Sequence, residues 1–185
     1  EIRNCDWSSD VVLFRSVNLL FFNLVTDSLP ALAIGMEPPE KDNLKEKPRD
    51  PKQGILTKDF IITLLLQGGM IAAVTMIAYY IGLHRSVEMA STMAFATLTL
   101  ARLFHGFNCR SKKSIFALGF KRNWYSLGAF CAGALLLAII LFIPILHGVF
   151  EVEAVTPAQA GMVVGLAVIP TVVIQIVKNI IYYKK

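Results

Sequence analysis

The sequence has few of the features that organise a soluble domain or an enzyme site. Its three cysteines, Cys5, Cys109 and Cys131, stand far apart without metal-type spacing. That argues against a disulfide framework and leaves them as buried or bystander thiols. There is no internal repeat, phosphate loop, nucleophile elbow or zinc signature. No basic-then-apolar leader stands at the front, and residue 1 is Glu1, not Met, so the chain is expected to be a piece of something longer. Nor does the net charge of +5 point to nucleic acid, because the basic residues sit between apolar runs.

Apolar residues dominate what remains. Of the 185 residues 55% are hydrophobic, and the mean hydropathy is +0.59. They are gathered into stretches that approach or reach the roughly 20 residues needed to cross a bilayer core of about 30 Å. In lipid the backbone must satisfy its own hydrogen bonds, which favours helices. The expected fold is therefore all-α, a polytopic transmembrane bundle of five spans occupying the whole of residues 1–185. The spans are Val11–Ile34, Phe60–Leu83, Met89–Phe107, Trp124–Leu146 and Pro157–Ile181.

Lysines and arginines set the expected orientation. The loops Glu37–Asp59 and Asn108–Asn123 and the tail hold 14 of the 18 basic residues, all on one side. The opposite side holds Arg3 and Arg85, with Glu151 and Glu153 in its last loop. Both basic loops and the carboxyl terminus are thus expected in the cytoplasm. Within the spans, Gly161 with Gly165 and Ala129 with Gly133 are small-xxx-small pairs suited to close helix packing. Pro144 and Pro170 are expected to kink their helices. Gln67 and Gln175 are expected to hydrogen-bond between helices, and Arg15 and Asn18 to line an outer exit route. The loop prolines Pro38, Pro39, Pro48 and Pro51 suggest a stiff connector, either simply solvated or docking a cytoplasmic domain.

The stretch Asn23-Leu24-Val25-Thr26-Asp27-Ser28-Leu29-Pro30 carries the chemistry. Asn23 and Asp27 are four apart and share a helical face, with Thr26 beside them. An unpartnered aspartate near mid-membrane costs roughly 2.5–3.5 kcal/mol. Carboxylate, amide oxygen and hydroxyl form a hard donor set suited to calcium, magnesium or manganese. Pro30 would free carbonyls of the preceding turn. An interhelical polar clasp fits the same residues equally well. Arg102, set between apolar neighbours in the third span, is as costly as Asp27. It either meets Asp27 or snorkels to the headgroups. His105 follows three residues later, as a satisfied polar residue or a ligand.

With its continuation Ala31-Leu32-Ala33-Ile34-Gly35-Met36-Glu37-Pro38, this stretch resembles the sixth transmembrane helix of type II P-type ATPases. It is most similar to the sarcoplasmic-reticulum-type calcium pumps and their bacterial relatives. Pro48-Arg49-Asp50-Pro51-Lys52 is similar to the proline-rich loop that follows that helix in the family. The resemblance implies that the five spans are helices six to ten of a ten-helix pump in a bacterial plasma membrane. It implies calcium ligands at Asn23, Thr26 and Asp27, with calcium as the transported ion. ATP and magnesium would be bound by parent cytoplasmic domains. Partners would be the lipid bilayer, the upstream helices and those domains. Arg102 departs from the animal pump, where a glutamate at the matching position completes a second calcium site. A tethered positive charge there implies one calcium per cycle, with protons carried back. Two alternatives stay open: a pump for manganese or a monovalent ion, and part of a secondary transporter with Asp27 and Arg102 as a proton-coupled pair. A purely structural membrane scaffold is a third class.

Overall fold

The computed structural model describes residues 27–37, 56–110 and 123–183. Every regular element among them is an α-helix. A short α1 spans Leu29–Gly35, α2 Lys58–Leu83, α3 Val87–Cys109, α4 Trp124–Phe142, α5 Pro144–Phe150 and α6 Pro157–Tyr183.

Local chemistry explains most helix boundaries. Thr57 precedes α2 in an extended conformation, and its side chain accepts from the Phe60 N–H at 3.3 Å. Ser86 does the same for α3, accepting from Met89 N–H at 2.9 Å. Asn123 caps α4 by accepting from Ser126 N–H at 3.1 Å. Each cap satisfies a donor that a helix start leaves orphaned. Thr156 and Gln159 form a reciprocal box at the start of α6. Gln159 Oε1 accepts from Thr156 N–H and O–H at 2.9 and 2.7 Å, and Thr156 Oγ1 accepts from Gln159 N–H at 3.4 Å.

The expected fourth span, Trp124–Leu146, is not one kinked helix. It ends at Phe142, and Ile143 turns extended at φ −97° and ψ 111°. The ring of Pro144 disfavours helical backbone at the residue before it. Pro144 instead opens α5, a position where its missing N–H costs nothing. α5 runs through His147 into the stretch expected to be loop and ends at Phe150, with Glu151 left-handed at φ 51°. Pro170, by contrast, lies inside a continuous α6 and is fully buried.

α3 is the centre of the bundle and touches α1, α2, α4 and α6. Met89, Met93, Ala96, Leu100, Ala101 and Leu103 line its core, against Ile71 and Ala78 of α2, Leu137 and Leu141 of α4, and Val163 and Ala167 of α6. α2 and α3 form a tight hairpin. A Cβ on Gly82 would lie 2.5 Å from Ala90 Cα, so only glycine fits this crossing. Gly133 of α4 packs against Leu103, where a Cβ would approach within 2.7 Å. The expected contact through Gly161 and Gly165 is different: both face open space among the described residues.

Among the described residues, three helices are long and apolar enough to cross a membrane: Lys58–Leu83, Trp124–Phe142 and Pro157–Ile180, with mean hydropathies of 2.1, 2.2 and 2.3. The faces they turn outward are apolar, including Leu64, Leu65 and Leu66 of α2 and Ile176 and Ile180 of α6. Such continuous apolar surface is matched to hydrocarbon and not to water. α3 is 23 residues long, about 34 Å at 1.5 Å per residue. Its polar residues lower its hydropathy, and neighbouring helices cover several of them: Thr92, Thr97, Thr99 and Asn108 are all buried.

The free cysteines Cys109 and Cys131 are exposed on the isolated chain, not buried; Cys5 lies outside the described residues.

Candidate ion-binding site

α1 brings Asp27 to the bundle. Asp27 and Ser28 form a widened π-type turn that leads into α1, with Pro30 near its start. Turns of this kind interrupt regular helix and recur at functional sites. α1 seats on α3 at Gly106, where a Cβ would contact Pro30 Cβ at 3.5 Å. The seat is closely packed: Pro30, Ala33, Ile34, Leu103, Phe107 and Phe130 leave a cavity of about 10 Å³. Phe104 and Phe107 stack against Phe130 at 4.9 and 5.3 Å between ring centroids. The aromatic cluster thus fixes α4 beside the same stretch of α3.

This packing places Arg102 Nη1 3.5 Å from Asp27 Oδ1. The two costly charges of the sequence therefore meet, and Arg102 does not turn away to snorkel. Among the described residues the pair is open on one side, the side chains being 42% and 47% exposed. Asp27 offers two carboxylate oxygens and Arg102 lies close to one of them. A calcium ion takes 6–8 oxygens, so Asp27 could supply only part of a shell. Asn23 and Thr26, expected beside it, lie outside the described residues, as do Arg15 and Asn18. Among the described residues no three His, Cys, Asp or Glu side chains gather into a metal-holding cluster.

His105 belongs to a different network. Its Nδ1 lies 3.4 Å from Asn108 Nδ2, which donates to Thr171 Oγ1 at 3.3 Å. Gln175 Nε2 donates to Asn108 Oδ1 at 2.5 Å, and Lys178 Nζ donates to the Asn108 carbonyl at 2.5 Å. The interhelical role expected of Gln175 is therefore present, joining α3 to α6. Asn108 is its hub, a residue the sequence reading passed over as the edge of a loop. Its position one turn after His105 was the available signal.

A second charge pair escaped the sequence reading altogether. Arg110, just after α3, grips Glu37, just after α1, through two parallel bonds. Nε donates to Oε2 at 2.9 Å and Nη2 to Oε1 at 3.0 Å. The side chains are largely enclosed, at 4% and 13% exposure. Asn123 joins them, its Nδ2 donating to Glu37 Oε2 at 2.7 Å and to the Ala33 carbonyl at 2.8 Å. Arg110 had been counted only as part of a basic loop.

The far end of α3 is closed by a third set of contacts. Ser86 Oγ donates to Glu153 Oε2 at 2.7 Å, and the Glu153 N–H donates to Thr92 Oγ1 at 2.9 Å. These tie the α2–α3 turn to the segment entering α6.

With this geometry in hand, likeness to known proteins is informative. Residues 11–180 match the family described as "Cation transporting ATPase, C-terminus". The chain is 40% identical over 158 residues to a calcium-transporting ATPase of Bacillus subtilis, covering 84% of this chain and 18% of that protein. It is 39% identical over 180 residues to one from Listeria monocytogenes, covering 94% and 19%. A human calcium-transporting ATPase, type 2C member 2, is 29% identical over 157 residues, covering 83% and 17%. The chain thus spans about a fifth of the length of these bacterial relatives. The chain belongs to the family of cation-transporting ATPase carboxyl-terminal regions.

Proposed function

We propose that this chain is the membrane-embedded ion-binding part of an ATP-driven calcium-exporting pump of a bacterial plasma membrane. The observation that carries the proposal is the placement of Asp27 against Arg102 on the open side of a tightly seated helix. A purely structural clasp has no need of an open carboxylate, whereas an ion site does. The names of the bacterial relatives, calcium-transporting ATPases, favour calcium as the cargo.

On this reading Asn23, Thr26 and Asp27 coordinate the ion, and upstream helices of the parent protein complete its shell. The five spans are helices six to ten of ten, with the basic loops and carboxyl terminus in the cytoplasm. ATP and magnesium act on parent domains. Arg102 supplies a fixed positive charge where a second cation would otherwise lie. A unit charge about 4 Å away costs an incoming cation on the order of 4 kcal/mol or more at an effective dielectric of 20. One calcium per cycle follows. After release, Asp27 takes up a proton for the return, which gives calcium/proton exchange.

The test is Asp27→Asn in the full-length pump. The substitution keeps the size and one oxygen donor but removes the charge. Calcium-stimulated ATP hydrolysis should fall at least about 100-fold. Stimulation at the level of the unaltered pump would end this assignment.

A further inference from the structure

α1 is joined to the bundle at two levels by pairs of the same chemistry. Asp27 and Glu37 are the acids, and their partners are Arg102 on α3 and Arg110 just after it, eight residues further along. The described α1 covers Leu29–Gly35, with Asp27 just before it and Glu37 just after it. Ala33 is its buried residue. What grips it at these two levels helps to set its axial position and rotation.

We infer that Glu37, Arg110 and Asn123 are positioning residues for the ion site, a clasp that fixes the depth and rotation of the helix carrying Asp27. Asn123 is central to it. Its Oδ1 caps α4, while its Nδ2 bonds both the Ala33 carbonyl and the Glu37 carboxylate. One amide thereby ties the end of α1 to the start of α4. Arg110 adds α3 through a planar two-bond contact that tolerates little rotation.

The consequence is geometric. Slipping a helix by one residue moves it about 1.5 Å and turns it about 100°. Either change would carry Asp27 away from Arg102, whose contact is a single one at 3.5 Å. The inner pair is half-open among the described residues, while the clasp is largely enclosed. The clasp holds the frame in which Asp27 can trade Arg102 for an ion without the helix drifting. It binds no ion itself.

This inference rests on Asp27 being an ion ligand, and its test separates the two. Glu37→Gln and Asn123→Ser are made in the full-length pump, with Asp27→Asn alongside. Gln at 37 keeps the shape but not the charge, and Ser at 123 keeps the helix cap but not the bridging amide. ATP hydrolysis is measured against calcium concentration. The expected result is a rise in the calcium concentration for half-maximal activity of about tenfold for Glu37→Gln and a smaller rise for Asn123→Ser. The maximal rate should stay within about twofold, because no ligand or ATP-handling residue has been touched. Should Glu37→Gln fail to fold, Asn123→Ser decides. An unchanged half-saturating concentration, or a lower maximal rate with half-saturation unmoved, overturns the clasp as a positioning device. Retained calcium stimulation in Asp27→Asn overturns the ion-ligand reading instead.

Discussion

Two acid–arginine pairs join α1 to α3, and their surroundings are opposite. Arg110 and Glu37 are nearly sealed from solvent, bonded through two parallel contacts at 2.9 and 3.0 Å, and backed by Asn123. Arg102 and Asp27 touch once, at 3.5 Å, with more than two-fifths of each side chain exposed. A buried pair with its hydrogen bonds satisfied stays closed, since opening it strands a charge. A half-open pair can exchange one partner for another at little cost. Burial thus separates a strut from the proposed site, although both are written with the same residue types.

The comparison breaks most easily at the strut. Arg110→Met should destabilise the full-length protein by about 2–3 kcal/mol, the cost of removing the two-bond contact from a Glu37 that keeps Asn123. Thermal unfolding in detergent would report it, and a loss under about 1 kcal/mol would mean the pair is less enclosed than described. Asn123→Ala should cost about 1–2 kcal/mol, combining a lost helix cap with an unpaired Ala33 carbonyl. Arg102→Met should change stability less than Arg110→Met in the same assay, because it removes one long contact and not two short ones. If it proved as damaging as Arg110→Met, the inner pair would be structural too, and the distinction drawn here would vanish.

The sequence already contained the inner pair, because an aspartate and an arginine in apolar runs have few ways to coexist except by meeting. It also contained the all-α character, the tight α2–α3 hairpin and the interhelical role of Gln175. The clasp was hidden for a definite reason. Glu37, Arg110 and Asn123 flank helix ends, where charges are ordinarily explained by topology and solvation. Only the fold shows that three loop-edge residues from distant positions converge and exclude water. Pro144 was read as a kink, yet local sequence alone does not say whether a helix bends or breaks; here the extended Ile143 makes it a break. The small-xxx-small pairs split for a similar reason. Gly133 meets Leu103 while Gly161 and Gly165 face outward, and spacing carries no information about which side a neighbour occupies. α3 was partly legible in retrospect, since a long helix rich in threonine suits burial among helices better than contact with lipid.

The central claim is that Asp27 binds the transported ion and that Arg102 holds the count to one. Equilibrium binding of radioactive calcium to the full-length pump, with and without Asp27→Asn, tests it directly. One calcium per unaltered pump and none in the variant is the result expected. Two calcium ions per unaltered pump, or one retained after Asp27→Asn, would contradict it.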